Sequence, residues 1–202
     1  MIGANQRGAR GVGCLLAAVL LTACGPIHEW PYVAGNPHCT ADFCLNLPGK
    51  GGASVKTSGD GECVFIDLID DANSWYSVEW CKRKNLESGD SAAFYKYWDD
   101  FQSVYLRGNF GEARYAPIAS THVTLDDGRP AIAFAGSGRH NGGKNGAIII
   151  LATVADGHAA TCYILLDRQL PRDFDMLSSA EYKNLLFVAS SVGAKGARRK
   201  SN

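Results

Sequence analysis

Three features of the sequence predict an α+β fold in which an antiparallel β-sheet carries two helices packed on one face. Short β-rich runs alternate with clusters of turn formers, and two longer stretches repeat apolar residues at three- and four-residue intervals. Asp127-Gly128 and Asp156-Gly157 stand between apolar runs, which is a strong short-range signal for a tight hairpin. The resulting order is two strands, a helix, four antiparallel strands and a closing helix.

The first two strands are Cys63–Leu68 and Trp75–Cys81, separated by the turn formers Asp70-Asp71-Ala72-Asn73-Ser74. Asp90 is a good N-cap for the helix that follows, on which Phe94, Tyr97, Trp98, Phe101, Val104 and Tyr105 share one face and which ends near Gly108. A loop punctuated by Gly and Pro leads to His122–Leu125 and Ala131–Ala135, with Pro130 at a strand start, where a missing N–H does least harm. Gly136–Gly146 reads as a glycine-rich loop, and Ala147–Ala155 with Ala159–Leu166 forms the last hairpin. A helix from about Met176 to Val192 closes the body, apolar at Leu177, Leu185, Leu186, Val188, Ala189 and Val192.

At the N-terminus, Arg7 and Arg10 precede the apolar run Val12–Leu21, which is too short to remain as a membrane-spanning helix and has the form of a signal peptide. The run ends in Leu21-Thr22-Ala23-Cys24-Gly25 and resembles the lipobox of bacterial lipoproteins. That resemblance implies cleavage before Cys24, a diacylglyceryl thioether and an N-acyl chain on that cysteine, and membrane anchoring by several acyl chains. Gly25 stands where an Asp would favour inner-membrane retention, so the resemblance implies an outer-membrane lipoprotein facing the periplasm.

The chain therefore divides into a signal peptide over 1–23, a lipid-anchored tether over 24–52, a globular domain over 53–193 and a basic disordered tail over 194–202. The tether holds Pro26, Pro31, Pro37 and Pro48 with little periodicity, and Gly49-Lys50-Gly51-Gly52 leads into the domain. Beyond residue 23 the chain carries 18 basic residues against 20 acidic ones. Lys195, Arg198, Arg199 and Lys200 lie in the tail with no acid beside them, which leaves a mildly acidic body. A solvated end is the plain reading of the tail, with contact to anionic lipid or cell-wall polymer as its alternative. No nucleic-acid partner is expected.

The order of elements also resembles the PsbP-like superfamily over about 53–192. The aromatic-faced helix Asp90–Leu106, the run Val123-Thr124-Leu125-Asp126-Asp127-Gly128-Arg129-Pro130-Ala131 into paired strands, and Asp173-Phe174-Asp175 before the closing helix carry the resemblance. It implies a non-enzymatic accessory or docking subunit, and it carries over no functional residue, because a fold does not determine a function.

Several fragments imitate catalytic motifs. Gly138-Arg139-His140-Asn141-Gly142-Gly143-Lys144-Asn145 approaches a phosphate-binding P-loop, but Asn145 replaces the hydroxyl that ligates magnesium, and a strand follows where the P-loop needs a helix N-terminus. No nucleotide is expected. Gly89-Asp90-Ser91 is similar to the nucleophile block of GDS-type esterases, yet no histidine has an Asp three residues before it, so Ser91 reads as part of the helix start. His38, Cys39 and Cys44 have the spacing of half a zinc site and lack the other half. Asp70-Asp71, Asp99-Asp100 and Asp126-Asp127 are sequence neighbours whose side chains diverge, as solvated turns and helix surface do. His122, His140 and His158 fall near turns, where solvated imidazoles are expected. No catalytic residue, cofactor or metal is assigned.

The expected function is a membrane-anchored, non-enzymatic lipoprotein that binds another envelope protein or assists assembly, with Trp30, Tyr32, Trp75, Tyr76 and Trp80 as aromatic candidates for the contact. One alternative is an immunity lipoprotein against a delivered toxin, using the glycine-rich loop. A second is an unrecognised envelope hydrolase, which requires a cleft of converging Asp, His or Ser side chains.

Past the lipid site the cysteines are Cys39, Cys44, Cys63, Cys81 and Cys162, an odd number, so at least one lacks an intramolecular partner. A hairpin turning at Asp70–Ser74 sets Cys63 opposite Cys81 and predicts their disulfide. Cys39 and Cys44 then close a small loop in the tether, and Cys162 is the buried thiol. The competing pairing, Cys44 with Cys63, ties the tether to the domain.

Overall fold

The computed structural model describes residues 28–31, 37–39, 43–46, 54–59, 63–69, 75–82, 86, 91–102, 106, 114–140 and 143–194. Its strands are β1 (His28–Pro31), β2 (His38–Cys39), β3 (Phe43–Leu45), β4 (Ser54–Gly59), β5 (Cys63–Ile69), β6 (Trp75–Lys82), β7 (Arg114–Thr124), β8 (Pro130–Arg139), β9 (Asn145–Ala155), β10 (His158–Leu166) and β11 (Gly193–Ala194). The helices are α1 (Ser91–Phe101) and α2 (Ala180–Ser191). Eight strands form one antiparallel sheet in the order β1-β4-β5-β6-β10-β9-β8-β7, and β11-β3-β2 form a small second sheet. The chain builds one half of the large sheet, crosses to its far edge after α1, and then meanders back until β10 pairs with β6.

The α+β class holds, but the two helices lie on opposite faces of the sheet, not on one. Successive strand residues point to opposite faces, so odd and even positions of β9 separate the two layers. Ile149 and Leu151 join a cluster with Leu185, Val188 and Ala189 of α2, whereas Ile148 and Ile150 join Phe94, Trp98 and Phe101 of α1. Residues Gly146–Ala155 are all buried, which is what a strand covered on both faces requires. Its run Ala-Ile-Ile-Ile-Leu-Ala is continuous rather than alternating for that reason.

Several boundaries differ from expectation. The loop expected before His122 is already strand from Arg114, with Pro117 at a register irregularity of the edge strand β7, where its missing N–H costs no ladder bond. Strand β8 continues to Arg139, so the expected loop Gly136–Gly146 shrinks to the few residues between Arg139 and Asn145. Helix α2 begins at Ala180 instead of Met176, because Ser179 caps it by accepting from the Tyr182 N–H at 3.1 Å. Asp156 and Gly157 both adopt positive φ (50° and 74°), as a tight two-residue hairpin demands. Asp90, Val104 and Tyr105 lie outside the described residues, as do the Asp70–Ser74 turn and the tail from Lys195 onward.

The segment read as tether contributes to both sheets. β1 pairs with β4 from His28↔Thr57 to Pro31↔Ser54, and β3 lies between β2 and β11. Phe43 and Leu45 are fully buried in the cluster that contains α2, and the Phe43 ring stacks on Trp80 at 4.8 Å. Ser191 Oγ at the end of α2 accepts from the Asn46 N–H at 2.7 Å. Tyr76 and Trp80, proposed from sequence as interface aromatics, are core residues with 4% and 2% exposure. The side chains of Trp30 and Trp75 and the whole of Tyr32 lie outside the described set.

Disulfides join Cys63 to Cys81, directly opposite on β5 and β6, and Cys39 to Cys44, opposite on β2 and β3. Cys162 is a buried free thiol, its pKa pushed up to about 12 by burial. Replacing Phe43 with Ala is expected to destabilise the fold by about 3 to 5 kcal/mol in urea denaturation, the range for a buried Phe truncated to Ala. A freely solvated tether would show no change.

Candidate functional site

The P-loop-like run occupies the β8–β9 hairpin, where Gly138, Gly143 and the following Gly146 each have a task in the backbone or its packing. A Cβ on Gly138 would lie 1.7 Å from the Arg114 carbonyl oxygen on β7, so only glycine permits that backbone approach. Gly143 takes φ +79°, and its N–H donates to the His140 carbonyl in the turn. A Cβ on Gly146 would lie 2.0 Å from His140 Nε2, so its bare Cα makes the space in which the imidazole sits.

That imidazole is the best-organised ionisable side chain of the region. His140 Nε2 lies 3.0 Å from the Leu166 carbonyl, which can only accept, so Nε2 carries the proton in the neutral ring. Nδ1 is then the acceptor, and the Tyr115 hydroxyl donates to it at 2.6 Å. The exposed Asp167 carboxylate stands 4.0 Å from Nε2, and Gln169 Nε2 donates to the Gly138 carbonyl at 2.9 Å. Tyr115 has its pKa raised to about 12, first by burial and second by the neighbouring Tyr163. The expectation of a solvated His140 is therefore corrected: both ring nitrogens are engaged inside the fold, tying β7, β8 and the end of β10 together. His158 is also half-buried, stacked on Trp80 at 4.6 Å with Nδ1 2.8 Å from the Asp156 carbonyl. Only His122 is exposed as expected, and even it stacks on Tyr95 of α1 at 4.2 Å.

Other sequence candidates are distributed rather than gathered. Ser91 opens α1, Asp99 and Asp100 are exposed on that helix, and Asp100 pairs with Lys96 at 3.2 Å. Asp127 pairs with Arg129 at 2.8 Å across the β7–β8 turn. Cys39 and Cys44 are bonded to each other and offer no thiolate to a metal beside His38. Cys24 and Asp70-Asp71 lie outside the described residues.

One cluster escaped the sequence reading. Cys63, Cys81 and Glu79 bring their ligand atoms within 4.8 Å of one another on a buried sheet face, with a Glu79 oxygen 2.9 Å from Cys81 Sγ. The two sulfurs are spent on their disulfide, so this trio offers no thiolate either. Opposite Glu79 on β10, the fully buried Thr161 Oγ1 has no hydrogen-bond partner among the described residues. The alternation of β6 signalled that Ser77, Glu79 and Cys81 share a face, but nothing in sequence signalled that the face is covered.

No protein-family model matches this chain, and a search of curated proteins finds none similar to it.

Two measurements test the hairpin. Gly146→Ala should destabilise the protein by more than the ordinary cost of such a change, and most of that loss should vanish in a His140→Ala background, because removing the imidazole empties the space the new methyl needs. Tyr115 should ionise well after an ordinary tyrosine in a spectrophotometric titration referenced to Tyr115→Phe. Its folded pKa exceeds its unfolded value, so its contribution to stability is complete below about pH 10 and is lost as pH rises through about 12.

Proposed function

We propose that the chain is an envelope lipoprotein, anchored to the membrane by acyl chains on Cys24, whose globular body acts without catalysis as a protein-binding or assembly accessory factor. The observation that carries this reading is the run Leu21-Thr22-Ala23-Cys24, placed at the end of a short apolar stretch with Arg7 and Arg10 ahead of it. Four of the remaining cysteines form two disulfides, the usage expected of a protein matured in an oxidising compartment. The resemblance of the element order to the PsbP-like superfamily supports an accessory role over an activity.

The chemistry of the body favours the same side. Imidazole and guanidinium groups that a hydrolase would aim at substrate are used here to join elements: His140 links two strands to the end of β10, and Arg129 closes the last helix onto the β7–β8 turn. The outer membrane facing the periplasm is the proposed location, on the strength of Gly25.

Replacing Cys24 with Ala should abolish metabolic acyl labelling and release the protein from the membrane fraction. Normal processing with full membrane retention in that variant would overturn the anchor. Crosslinking of the acylated protein in intact envelopes should yield a stoichiometric protein partner, and its consistent absence counts against the accessory role.

A further inference from the structure

The face of β6 that carries Ser77, Glu79 and Cys81 is buried, yet it is rich in polar and metal-ligating atoms. Glu79 is 5% exposed, and Cys81 and Thr161 are fully buried. Strand register brings the groups together: Cys63 stands opposite Cys81 on β5, and Thr161 stands opposite Glu79 on β10. The two sulfurs and a Glu79 oxygen lie within 4.8 Å of one another, the one such grouping of three His, Cys, Asp or Glu ligand atoms among the described residues.

In the oxidised chain this grouping is chemically unbalanced. A disulfide sulfur carries no proton, so the Glu79 oxygen 2.9 Å from Cys81 Sγ receives no hydrogen bond from it. Thr161 Oγ1 has no partner among the described residues. Carboxylate and hydroxyl groups in a dry site are costly unless something there uses them. Reduction changes the chemistry, because two thiols and a carboxylate then occupy one buried place. To ligate a common ion the sulfurs must part from a bond of about 2.05 Å to about 3.8 Å, the edge of a tetrahedron with metal–sulfur bonds of about 2.3 Å. Each sulfur then moves by about 1 Å, which rotation about its own Cα–Cβ bond supplies without moving a strand. A carboxylate offers two oxygens and several lone pairs, so Glu79 can ligate through one oxygen and keep its other contacts.

We propose that Cys63, Cys81 and Glu79 form a metal site that the disulfide keeps closed and reduction opens. It takes one divalent ion of the zinc class, with a water held by the Thr161 hydroxyl in the fourth position. Hard ions such as magnesium and calcium require oxygen ligands, and the carboxylate favours a divalent ion over copper(I). A dithiol reductant passes two electrons and two protons to the disulfide and itself becomes a disulfide. The ion then displaces both thiol protons to solvent, and the carboxylate joins the two thiolates as third ligand. A disulfide oxidant reverses the exchange, taking two electrons from the thiolates and two protons from solvent, and the ion is expelled. The site thus holds its ion under reducing conditions and releases it under oxidising ones, whether or not Cys24 carries lipid.

The test uses the full chain, its exposed free thiols first alkylated, then reduced with a phosphine in urea and refolded anaerobically with cobalt(II) as the probe. One cobalt per chain should bind, with the sulfur-to-metal charge-transfer band and strong visible absorption of a tetrahedral thiolate site. The unreduced chain should bind none. Binding should vanish in Cys63→Ser/Cys81→Ser, weaken at least tenfold in Glu79→Gln, and persist in His38→Ala and in Cys39→Ser/Cys44→Ser. Cys162 lies on the opposite face of the sheet and cannot join the site. Zinc at about 100 times its dissociation constant should raise the midpoint potential of the Cys63–Cys81 couple by about 60 mV over a magnesium control. Binding that survives in Cys63→Ser/Cys81→Ser and is lost in Cys39→Ser/Cys44→Ser puts the ion beside His38 and overturns the proposal. Unchanged affinity in Glu79→Gln overturns it too, as does a reduced chain that refolds without binding or stays unfolded in saturating zinc.

Discussion

The constraint from which the architecture follows is that β9 must be dry on both faces. Ten consecutive buried residues, Gly146–Ala155, leave no side on which the strand meets water. A sheet with helices on only one face would expose Ile148, Ile150 and Ala152 or else Ile149 and Leu151, at about 25 cal/mol for each square ångström uncovered. Helix α1 covers the first set with Phe94, Trp98 and Phe101, and α2 covers the second with Leu185, Val188 and Ala189. The chain route follows from the same need, since crossing to the far edge after β6 and meandering back places β9 deep inside the sheet, with β10 and β8 as its neighbours.

The sequence is legible where a local signal decides the structure. The β5–β6 register follows from turn placement, which puts Cys63 opposite Cys81, and Asp156-Gly157 makes a hairpin because few residue pairs accept two positive φ values. It is less legible where distant segments decide. Nothing local distinguishes Phe43-Cys44-Leu45 from a linker. Its burial depends on the gap beside α2 and on Trp80, both far away in the chain. Helix sidedness was in principle readable, because an uninterrupted apolar strand signals cover on both faces, and an alternating one signals cover on a single face.

The glycine-rich run shows why spacing alone misleads about chemistry. A P-loop uses glycines so that backbone amides can wrap a phosphate. Here, closely similar spacing serves packing between strands: Gly138 admits the Arg114 carbonyl and Gly146 admits an imidazole. His140 was legible as a residue near a turn, but its partners were not, since Tyr115 lies 25 residues away and Leu166 lies 26 away. A histidine whose two nitrogens face a hydroxyl and a carbonyl has no lone pair or proton left for a substrate without first breaking one of those bonds.

Arg129 completes the argument about what the Asp-Gly-Arg-Pro-Ala run is for. Its Nε meets Asp127, and its terminal nitrogens donate to the carbonyls of Ala189, Ser190 and Val192 at 3.0, 3.3 and 3.4 Å. Those carbonyls sit at the C-terminal end of α2, where oxygens lack partners within the helix and the dipole favours a cation. The planar guanidinium can face a carboxylate and several carbonyls at once, whereas a lysine ammonium, a point charge on a flexible stem, cannot. Gly128 takes the positive φ of the turn and Pro130 opens β8, so the run shapes the β7–β8 turn that Arg129 joins to the last helix. The residues on which the PsbP-like resemblance leans are thus residues that close the fold. A resemblance built on them concerns architecture and names no functional residue, and for that reason the proposed function rests first on the anchor.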